Sequence, residues 1–435
     1  MIMRKLFVAA VVWVCSVAAF AQSGTNSPYS QYGLGALHER SVGFNSGMAG
    51  VGQGFREHNQ VNVLNPASYS SVDSLTFIFD IGMSMWVTNF KEGGNRVNAN
   101  NANFEYVLAG FRMAKHLGFA FGIMPYTNIG YDYSYSEVVG DVETENSTYY
   151  VNTYSGSGGT REVFVGMGWE PFKGLSIGFN AAYFWGSYER YVENAYTDSY
   201  VNTLSKQYTA TINSYRLDFG LQYTAKVTHD DCVTLGLTYS NGHKLGTDPE
   251  CLVISENSQT GVADTAAYAI DNGLEIPETF GAGLAWDHKN KLKVGFDFQL
   301  QRWGKIQYPV YDVTDEVPSY ILTDGIYSDR KKFAVGGVYC ADEYGRTFMK
   351  RIRYRVGASY STPYLTINGY DGPKEYSVTA GFGIPIMNSW NSRSIINISA
   401  EWIHRDAKHL ITENAFCIKV GITFNERWFS KWKME

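Results

Sequence analysis

The residue types that usually carry catalysis or bind metals occur in this 435-residue chain, but their spacing suits neither task. The eight histidines are scattered, and the closest two, His404 and His409, fall in a predicted hairpin loop rather than at the spacing of helical metal ligands. The glycine-rich stretch GSGG (156–159) has no following lysine and helix, so it does not predict a phosphate-binding loop. No serine, histidine and aspartate set indicates nucleophilic catalysis. We therefore expect no enzymatic activity, no metal and no cofactor.

A second group of candidate functional residues carries charged side chains that alternate with apolar residues along the sequence. In YRLDFGLQY, Arg216 and Asp218 alternate with Leu217 and Phe219. One interpretation is a network of charges that hydrogen-bonds an internal segment, because isolated interior charges are costly. The other is that two arginines hold the carboxylate of a substrate. We favour the first. The further members of this group are Lys293, Asp297, Arg353, Arg355, Glu401 and Lys419, of which Arg353 and Arg355 are the candidates for substrate binding.

The first residues have the pattern of a secretory signal peptide, which we place at residues 1–21. Arg4 and Lys5 precede a short apolar stretch and a small-x-small cleavage site at residues 19–21. Removal of this segment leaves 34 basic residues against 42 acidic ones, a net charge of −8. That balance argues against a nucleic-acid partner. Four cysteines remain, widely spaced, which leaves open a disulfide between two of them: Cys232, Cys251, Cys340 and Cys417.

Strict alternation of apolar and polar residues recurs along residues 74–424. The last repeat, FCIKVGITF (416–424), puts its aromatic and aliphatic residues on one face and Lys419 on the other. A soluble β-sandwich also alternates, but its apolar face is not capped by aromatics in strand after strand. The pattern predicts an all-β fold, a transmembrane antiparallel barrel of about 14 strands in the outer membrane, with a periplasmic tail at 425–435. Short turns alternate with long polar loops, which we expect around 138–159, 190–210, 240–275 and 308–330.

Six tryptophans fall near the ends of predicted strands, where an aromatic girdle at the membrane interface is expected. They are Trp169, Trp185, Trp286, Trp303, Trp390 and Trp402.

Fourteen strands enclose a lumen too wide for the barrel side chains alone to fill. Residues 22–73 precede the first strand and are rich in glycine and apolar residues, so they predict a hatch, a plug inside the lumen. A disordered periplasmic tail is the alternative, but the apolar content is too high for it. The expected hatch contacts are Phe44, Met48, Val51 and Phe55.

The chain resembles the FadL/TodX family of outer-membrane transporters for long-chain fatty acids and other hydrophobic compounds. The resemblance rests on Asn65-Pro66-Ala67 at the junction of hatch and barrel, on EIPETFGAGLAWDHKNKLKVGFDFQLQRWGKI (275–306), and on the ending ITFNERWFSKWK. It implies a fourteen-stranded barrel with an internal hatch, and it implies that the NPA motif packs beside an opening in the barrel wall. From the residues alone, NPA is a turn from hatch to first strand.

Pro125 interrupts the third predicted strand and is followed by Asn128 and Gly130. Because proline removes a ladder hydrogen bond, a kink or a bulge is expected here. The resemblance implies that this kink opens a side window to the lipid. A simple curvature bulge is the alternative.

Two functions follow from these expectations. The first is passive transport of hydrophobic small molecules, such as long-chain fatty acids, with lateral release through the third strand into outer-membrane lipid. The second is a non-transporting structural subunit of an outer-membrane secretion or barrel-assembly complex, with other outer-membrane proteins as partners. A lumen too polar to leave an apolar pocket would favour the second function.

Overall fold

The computed structural model describes residues 24–139, 148–314, 317–387 and 393–427. The predicted signal peptide, Trp390 and most of the expected C-terminal tail lie outside these ranges. Within them, no helix is long and apolar enough to span a membrane. Among the described residues the one α-helix, α1, is the single turn Phe348–Arg351.

Fourteen long strands form the barrel, and all their neighbour pairs are antiparallel. The last strand pairs with the first, from Thr76 with Arg427 to Lys91 with Thr412, so the sheet is closed. The expected 14-stranded all-β barrel is confirmed. The barrel strands are β2 (Thr76–Glu92), β3 (Asn95–Ala114), β4 (Leu117–Val138), β5 (Tyr149–Phe172), β6 (Leu175–Tyr196), β7 (Thr203–Lys226), β8 (Asp231–Ser240), β13 (Thr279–His288), β14 (Leu292–Gln301), β17 (Arg330–Tyr339), β18 (Arg353–Ser361), β21 (Lys374–Met387), β22 (Arg393–Asp406) and β23 (Thr412–Arg427).

Nine further short strands of the described residues are not members of this ring. They are β1 (Ala36–Leu37), β9 (His243–Lys244), β10 (Glu250–Glu256), β11 (Ala263–Ala269), β12 (Glu275–Ile276), β15 (Tyr308–Thr314), β16 (Val317–Thr323), β19 (Thr366–Ile367) and β20 (Tyr370–Asp371).

The alternation of the sequence sorts side chains between lipid and lumen as expected. In β23, Phe416 and Ile418 are exposed on the outer face, whereas Cys417 and Lys419 are buried. The same division holds in β7 and β14. An antiparallel barrel with an exposed apolar outer band is the structure of an outer-membrane protein.

Several expected loops are shorter than predicted because the strands continue beyond the membrane. β5 and β7 each contain 24 residues, whereas about 9–11 suffice to cross a bilayer. The predicted loops at 138–159 and 190–210 therefore shrink to the connections after β4 and β6. The loop expected around 240–275 is not irregular throughout, because after β8 ends at Ser240 the later residues include β10, which pairs with the outer part of β7. β23 extends to Arg427, so residues 425–427, which were expected to belong to the tail, are part of the last strand.

The tryptophan girdle is only partly present. Trp169, Trp286 and Trp402 are exposed on the outside, and Trp185 is half-buried. Trp303 is fully buried inside the barrel, where its ring packs 5.1 Å from that of Tyr327 and 5.2 Å from that of Tyr364. It does not belong to a girdle, because the chain turns inward after β14 into a short 3₁₀ helix, Trp303–Lys305.

The hatch, residues 24–75 in the structure, lies inside the ring, and most of its residues are buried. It contains β1 and three 3₁₀ helices, Pro28–Gln31, Ser46–Met48 and Pro66–Ser71. Two apolar clusters hold it, one formed mainly with the barrel wall near the short turns and one near the long loops. The short-turn end is the periplasmic end, because short turns face the periplasm in bacterial barrels. The four cysteines carried by the described residues are all free thiols.

Candidate functional site: the plugged lumen and its wall

The NPA motif fastens the end of the hatch to the wall formed by β7 and β8. Asn65 caps the 3₁₀ helix that starts at Pro66, because its side-chain oxygen accepts a hydrogen bond from the Ala67 amide at 3.1 Å. Its amide group donates to the carbonyl oxygens of Leu221 at 3.2 Å and Leu237 at 3.4 Å. The motif therefore joins the local turn to two barrel strands.

Glycines in the wall allow this 3₁₀ helix to approach the barrel backbone. A Cβ at Gly220 would lie 2.2 Å from the side-chain oxygen of Asn65, and a Cβ at Gly118 would lie 1.8 Å from the carbonyl oxygen of Tyr69. Both distances are far below van der Waals contact, so any larger residue displaces the hatch.

The expected apolar hatch residues do pack against the barrel. Phe44, Met48, Val51 and Phe55 are each at most 2% exposed and belong to one cluster. Val51 and Phe55 lie against β14, and Met48 lies against β17 and β18.

A buried cluster of four charges ties the hatch to β5 and β7. Arg40 of the hatch lies 3.0 Å from Glu162 and 3.0 Å from Asp218. Arg216 lies 2.9 Å from each of the same two carboxylates. Two positive and two negative charges therefore neutralise each other inside the lumen. Removal of one member of such a set typically costs about 3–5 kcal/mol.

Further ion pairs connect the hatch to other strands. Glu39 lies 2.7 Å from Arg330 and also contacts Lys332. Burial alone would raise the pKa of Glu39, but these two cations hold it well below its usual range. Glu57 pairs with Lys293 at 2.8 Å. Further links join His38 to Glu105, Arg56 to Glu170, Asp297 to the amides of Gly52 and Gln53, and Lys419 to Ser41, while Lys419 also pairs with Glu401 of the barrel. Most of these contacts join a hatch residue to a charged or polar side chain on the lumen face of the barrel.

Aromatic side chains pack the lumen toward the long loops. The guanidinium of Arg190 lies over the ring of Tyr188 at 4.6 Å and donates to the Gly33 carbonyl of the hatch at 2.5 Å. Around it lie buried residues of the second apolar cluster, including Leu34 and Trp303. This end of the lumen is filled by the protein's own side chains.

The barrel wall parts between β3 and β4. The two strands pair only from their shared turn up to Val107 and Ile123. Beyond this point β3 remains paired with β2, and β4 remains paired with β5. The register of β4 against β5 shifts between Pro125 and Thr127. The irregularity expected at Pro125 is therefore present, and it lies where the two strands separate.

The beginning of the hatch occupies this gap. Ala36 and Leu37 form β1, which pairs with Asn128 and Thr127 of β4. On the other side, Asn103 donates to the Gly24 carbonyl at 2.6 Å. Gly130 exchanges hydrogen bonds with Ser30, at 3.2 Å and 3.3 Å. Residues 24–38, which we call the gap segment, thus bridge the parted strands.

The hydrogen bonds and close contacts of the NPA motif place it away from this gap. Asn65 bonds to β7 and β8, and the helix that follows meets β4 at Gly118, close to its periplasmic end. The expectation that NPA packs beside the opening is wrong, because the gap begins six residues farther along β4 than Gly118. The gap segment takes that place instead.

Arg353 and Arg355 line a cavity of about 370 Å³ that opens at the periplasmic end. Arg353 donates to Glu343 and to Gln60, both at 3.0 Å. Arg355 donates from one nitrogen to the Gly43 carbonyl at 3.1 Å and to Asn397 at 2.7 Å.

Comparison with known proteins shows the family. A protein-family model, BamG, matches residues 1–435. The chain belongs to the BamG family. No curated protein matches it.

Solved structures share the fold of this BamG-family chain. The toluene transporter TbuX of Ralstonia pickettii has a TM-score of 0.61 at 15% identity, covering 89% of this chain and 98% of its own. The toluene transporter TodX of P. putida has a TM-score of 0.59 at 13% identity, covering 92% and 100%. A FadL homologue of Pseudomonas aeruginosa has a TM-score of 0.58 at 12% identity, covering 88% and 97%. The resemblance to FadL/TodX proteins is confirmed at the level of the fold.

Sequence reasoning did not find several residues that hold this site together. Glu162 and Arg190 were not recognised, although both sit on the lumen face of alternating strands, and that signal could have found them. Arg40 and Glu39 lie in irregular backbone, where no period indicates which way a side chain points.

Proposed function

We propose that this BamG-family protein is a non-transporting structural subunit of a larger outer-membrane complex for barrel assembly or secretion. The observation that carries the proposal is the closed lumen, in which buried ion pairs fix the hatch to strands around the ring. A barrel of this kind offers its outer wall, loops and periplasmic turns to partner proteins.

The polarity of the lumen supports this function over passage of an apolar molecule. Charged side chains line the cavities next to the hatch, including Glu57, Lys293 and Arg353 in the cavity of about 370 Å³ and Glu39, Arg216 and Asp297 in one of about 60 Å³. An apolar ligand gains free energy by leaving water for apolar surroundings, and charged walls do not provide them.

Affinity purification from native membranes tests the proposal. The tagged protein is extracted in a mild detergent, with a tagged unrelated outer-membrane barrel of similar abundance as control. We expect stoichiometric co-purification of outer-membrane components of an assembly or secretion complex with this protein and not with the control. Recovery of the protein alone, both before and after chemical cross-linking in intact cells, contradicts the proposal.

A second candidate is passive transport of hydrophobic compounds, such as long-chain fatty acids, with lateral release into the outer membrane. The parting of β3 and β4 favours it, because an apolar ligand that leaves sideways enters acyl chains rather than water. The solved proteins with this fold, including toluene transporters, also support it. For release to occur, the gap segment must leave β4.

A disulfide that locks the gap segment distinguishes the two candidates. Ala36 and Asn128 are paired across β1 and β4, at a separation suited to a disulfide after both are replaced by cysteine. Under the transport hypothesis, the oxidised Ala36→Cys/Asn128→Cys variant loses uptake of a labelled fatty acid, and reduction restores it. Each single-cysteine variant is the control. Unchanged uptake after complete oxidation excludes lateral release through this gap.

A further inference from the structure

Arg355 is a buried cation without a direct counter-charge. It is 4% exposed, and the described residues place no carboxylate within ion-pair distance of it. Its two hydrogen bonds both leave from Nη1 and go to neutral oxygens, those of Gly43 and Asn397. Its Nε is buried and has no hydrogen-bond partner. A buried charge without a counter-charge lowers the stability of the folded protein unless an anion binds next to it.

The lumen cations nearest to Arg355 do not share this condition, and Arg190, which also has no ion pair among the described residues, lies at the other end of the lumen over the ring of Tyr188. Lys293 pairs with Glu57, Lys419 pairs with Glu401, and Arg353 pairs with Glu343. Arg355 reaches a carboxylate only indirectly, because Asn397 donates to Thr423, which donates to Asp80. Two neutral side chains therefore stand between the guanidinium and that acid.

Arg355 also lines the cavity of about 370 Å³ at the periplasmic end. At the rim of this cavity, Lys291 is exposed and has no ion pair among the described residues. The two cations without partners thus lie at the inner wall and at the mouth of one cavity. A cavity of this size accommodates a small organic ligand or a lipid headgroup.

We propose that this periplasmic cavity binds an anionic group, a carboxylate or a phosphate, and that Arg355 is the residue that holds it. The planar guanidinium is suited to either group, because it presents parallel N–H donors. Lys291 at the mouth attracts the ligand electrostatically. The inference does not depend on the structural role proposed above, since a ligand can stabilise the plugged state of the barrel in either function.

Calorimetric titration of the full-length protein in dodecyl maltoside tests the proposal. The probes are sodium phosphate, sodium succinate and short-chain phosphatidylglycerol, with sodium chloride at matched ionic strength as control. We expect saturable binding of at least one probe and no saturable signal with chloride. Binding of phosphate or succinate indicates a free anion, and binding of phosphatidylglycerol alone indicates a lipid headgroup.

Two variants locate the site. Arg355→Gln should weaken binding by about tenfold or more, the loss expected when one charge-assisted hydrogen bond is removed. Lys291→Glu lies on the surface, where it does not disturb folding, and should weaken binding by a smaller factor. Cys340 lines the same cavity, so its rate of reaction with methyl methanethiosulfonate should fall when the probe is bound, measured with the other three cysteines replaced by alanine.

Three results overturn the proposal. The first is the absence of saturable binding by every probe to correctly folded protein. The second is binding that Lys291→Glu and Arg355→Gln leave unchanged. The third is binding that does not slow the reaction of Cys340, which places the anion elsewhere.

Discussion

Single residues on the lumen face decide how closely hatch and wall fit. Gly118 shows the tightest approach, with the Tyr69 carbonyl oxygen 1.8 Å from the position of a Cβ. The sequence does not distinguish these close-contact glycines from others, because glycine is also common at turns and bulges. Only the folded hatch shows which glycines a larger residue would disrupt.

The Gly118→Ala variant should lower the free energy of unfolding by about 1–3 kcal/mol, the usual cost of inserting a group into a packed interior. The measurement is urea unfolding in detergent, followed by tryptophan fluorescence. Gly94→Ala is the control, because a Cβ at Gly94 meets no atom within 4 Å. Equal stability of the two variants contradicts the close approach of the hatch at Gly118.

The four-charge cluster predicts a strong and non-additive effect. Glu162→Gln should destabilise the folded protein by about 3–5 kcal/mol, because Arg40 and Arg216 then share one carboxylate. The double variant Arg40→Gln/Glu162→Gln should be less destabilised than the sum of its single variants. A double-mutant cycle of unfolding free energies measures this coupling, and strict additivity would show that the cluster does not act as a unit.

His58 gives the hatch a pH dependence at the periplasmic end. The pKa of His58 is raised to about 9, mainly by its hydrogen bond to Asp73 at 2.6 Å and secondly by its interaction with Glu343. Its contribution to stability is therefore fully present below the unfolded-state pKa of about 6.5 and is lost as the pH rises through about 9. Unfolding from pH 6 to pH 10 should show this loss in the wild type and a smaller loss in His58→Gln. Identical pH profiles would refute the assignment.

At the scale of elements, alternation was enough to predict the barrel, because each lipid-facing strand needs apolar residues at every second position. It could not predict how far β5 and β7 extend beyond the membrane, since strands outside lipid no longer require an apolar face. It also could not separate Trp303, which turns into the lumen, from tryptophans at the lipid interface. The ion pairs of the hatch were not predictable, because Arg40 and Asp218 are brought together only by the closed ring.

Pro125 tests what keeps β3 and β4 apart. The Pro125→Val variant should remain folded, and the gap should stay open, because Ala36 and Leu37 occupy the adjacent edge of β4. The register of the paired part places Phe104 opposite Tyr126 if the strands were to join. A Phe104→Cys/Tyr126→Cys pair should therefore form no disulfide, either in the wild type or in the Pro125→Val background.

The pair Val107→Cys/Ile123→Cys is the positive control for this experiment, because these positions are partners in the structure. Disulfide formation by the test pair in the Pro125→Val background alone would show that the proline itself holds the gap open.

At the scale of the whole molecule, barrel and hatch have separate tasks. The ring of fourteen strands closes mainly through its own backbone hydrogen bonds, and among the described residues only at the gap between β3 and β4 does the hatch pair with a barrel strand. The hatch instead supplies the side chains that fill a lumen too wide for the wall to fill alone. The barrel should therefore assemble when most of the hatch is missing.

Deletion of residues 23–60 removes the gap segment, the apolar contacts from Phe44 to Phe55 and the charges of Glu39 and Arg40, but keeps the NPA motif on its wall. The carboxylates and cations left behind line a wide lumen that water can enter, so their loss of hatch partners is compensated by hydration. In planar lipid bilayers the wild type should show no stable conductance, whereas the deletion variant should form a lasting open pore. The heat-modifiable migration of both proteins in gel electrophoresis serves as the control for a folded barrel. A folded deletion variant that conducts no more than the wild type would show that something other than the hatch closes the lumen.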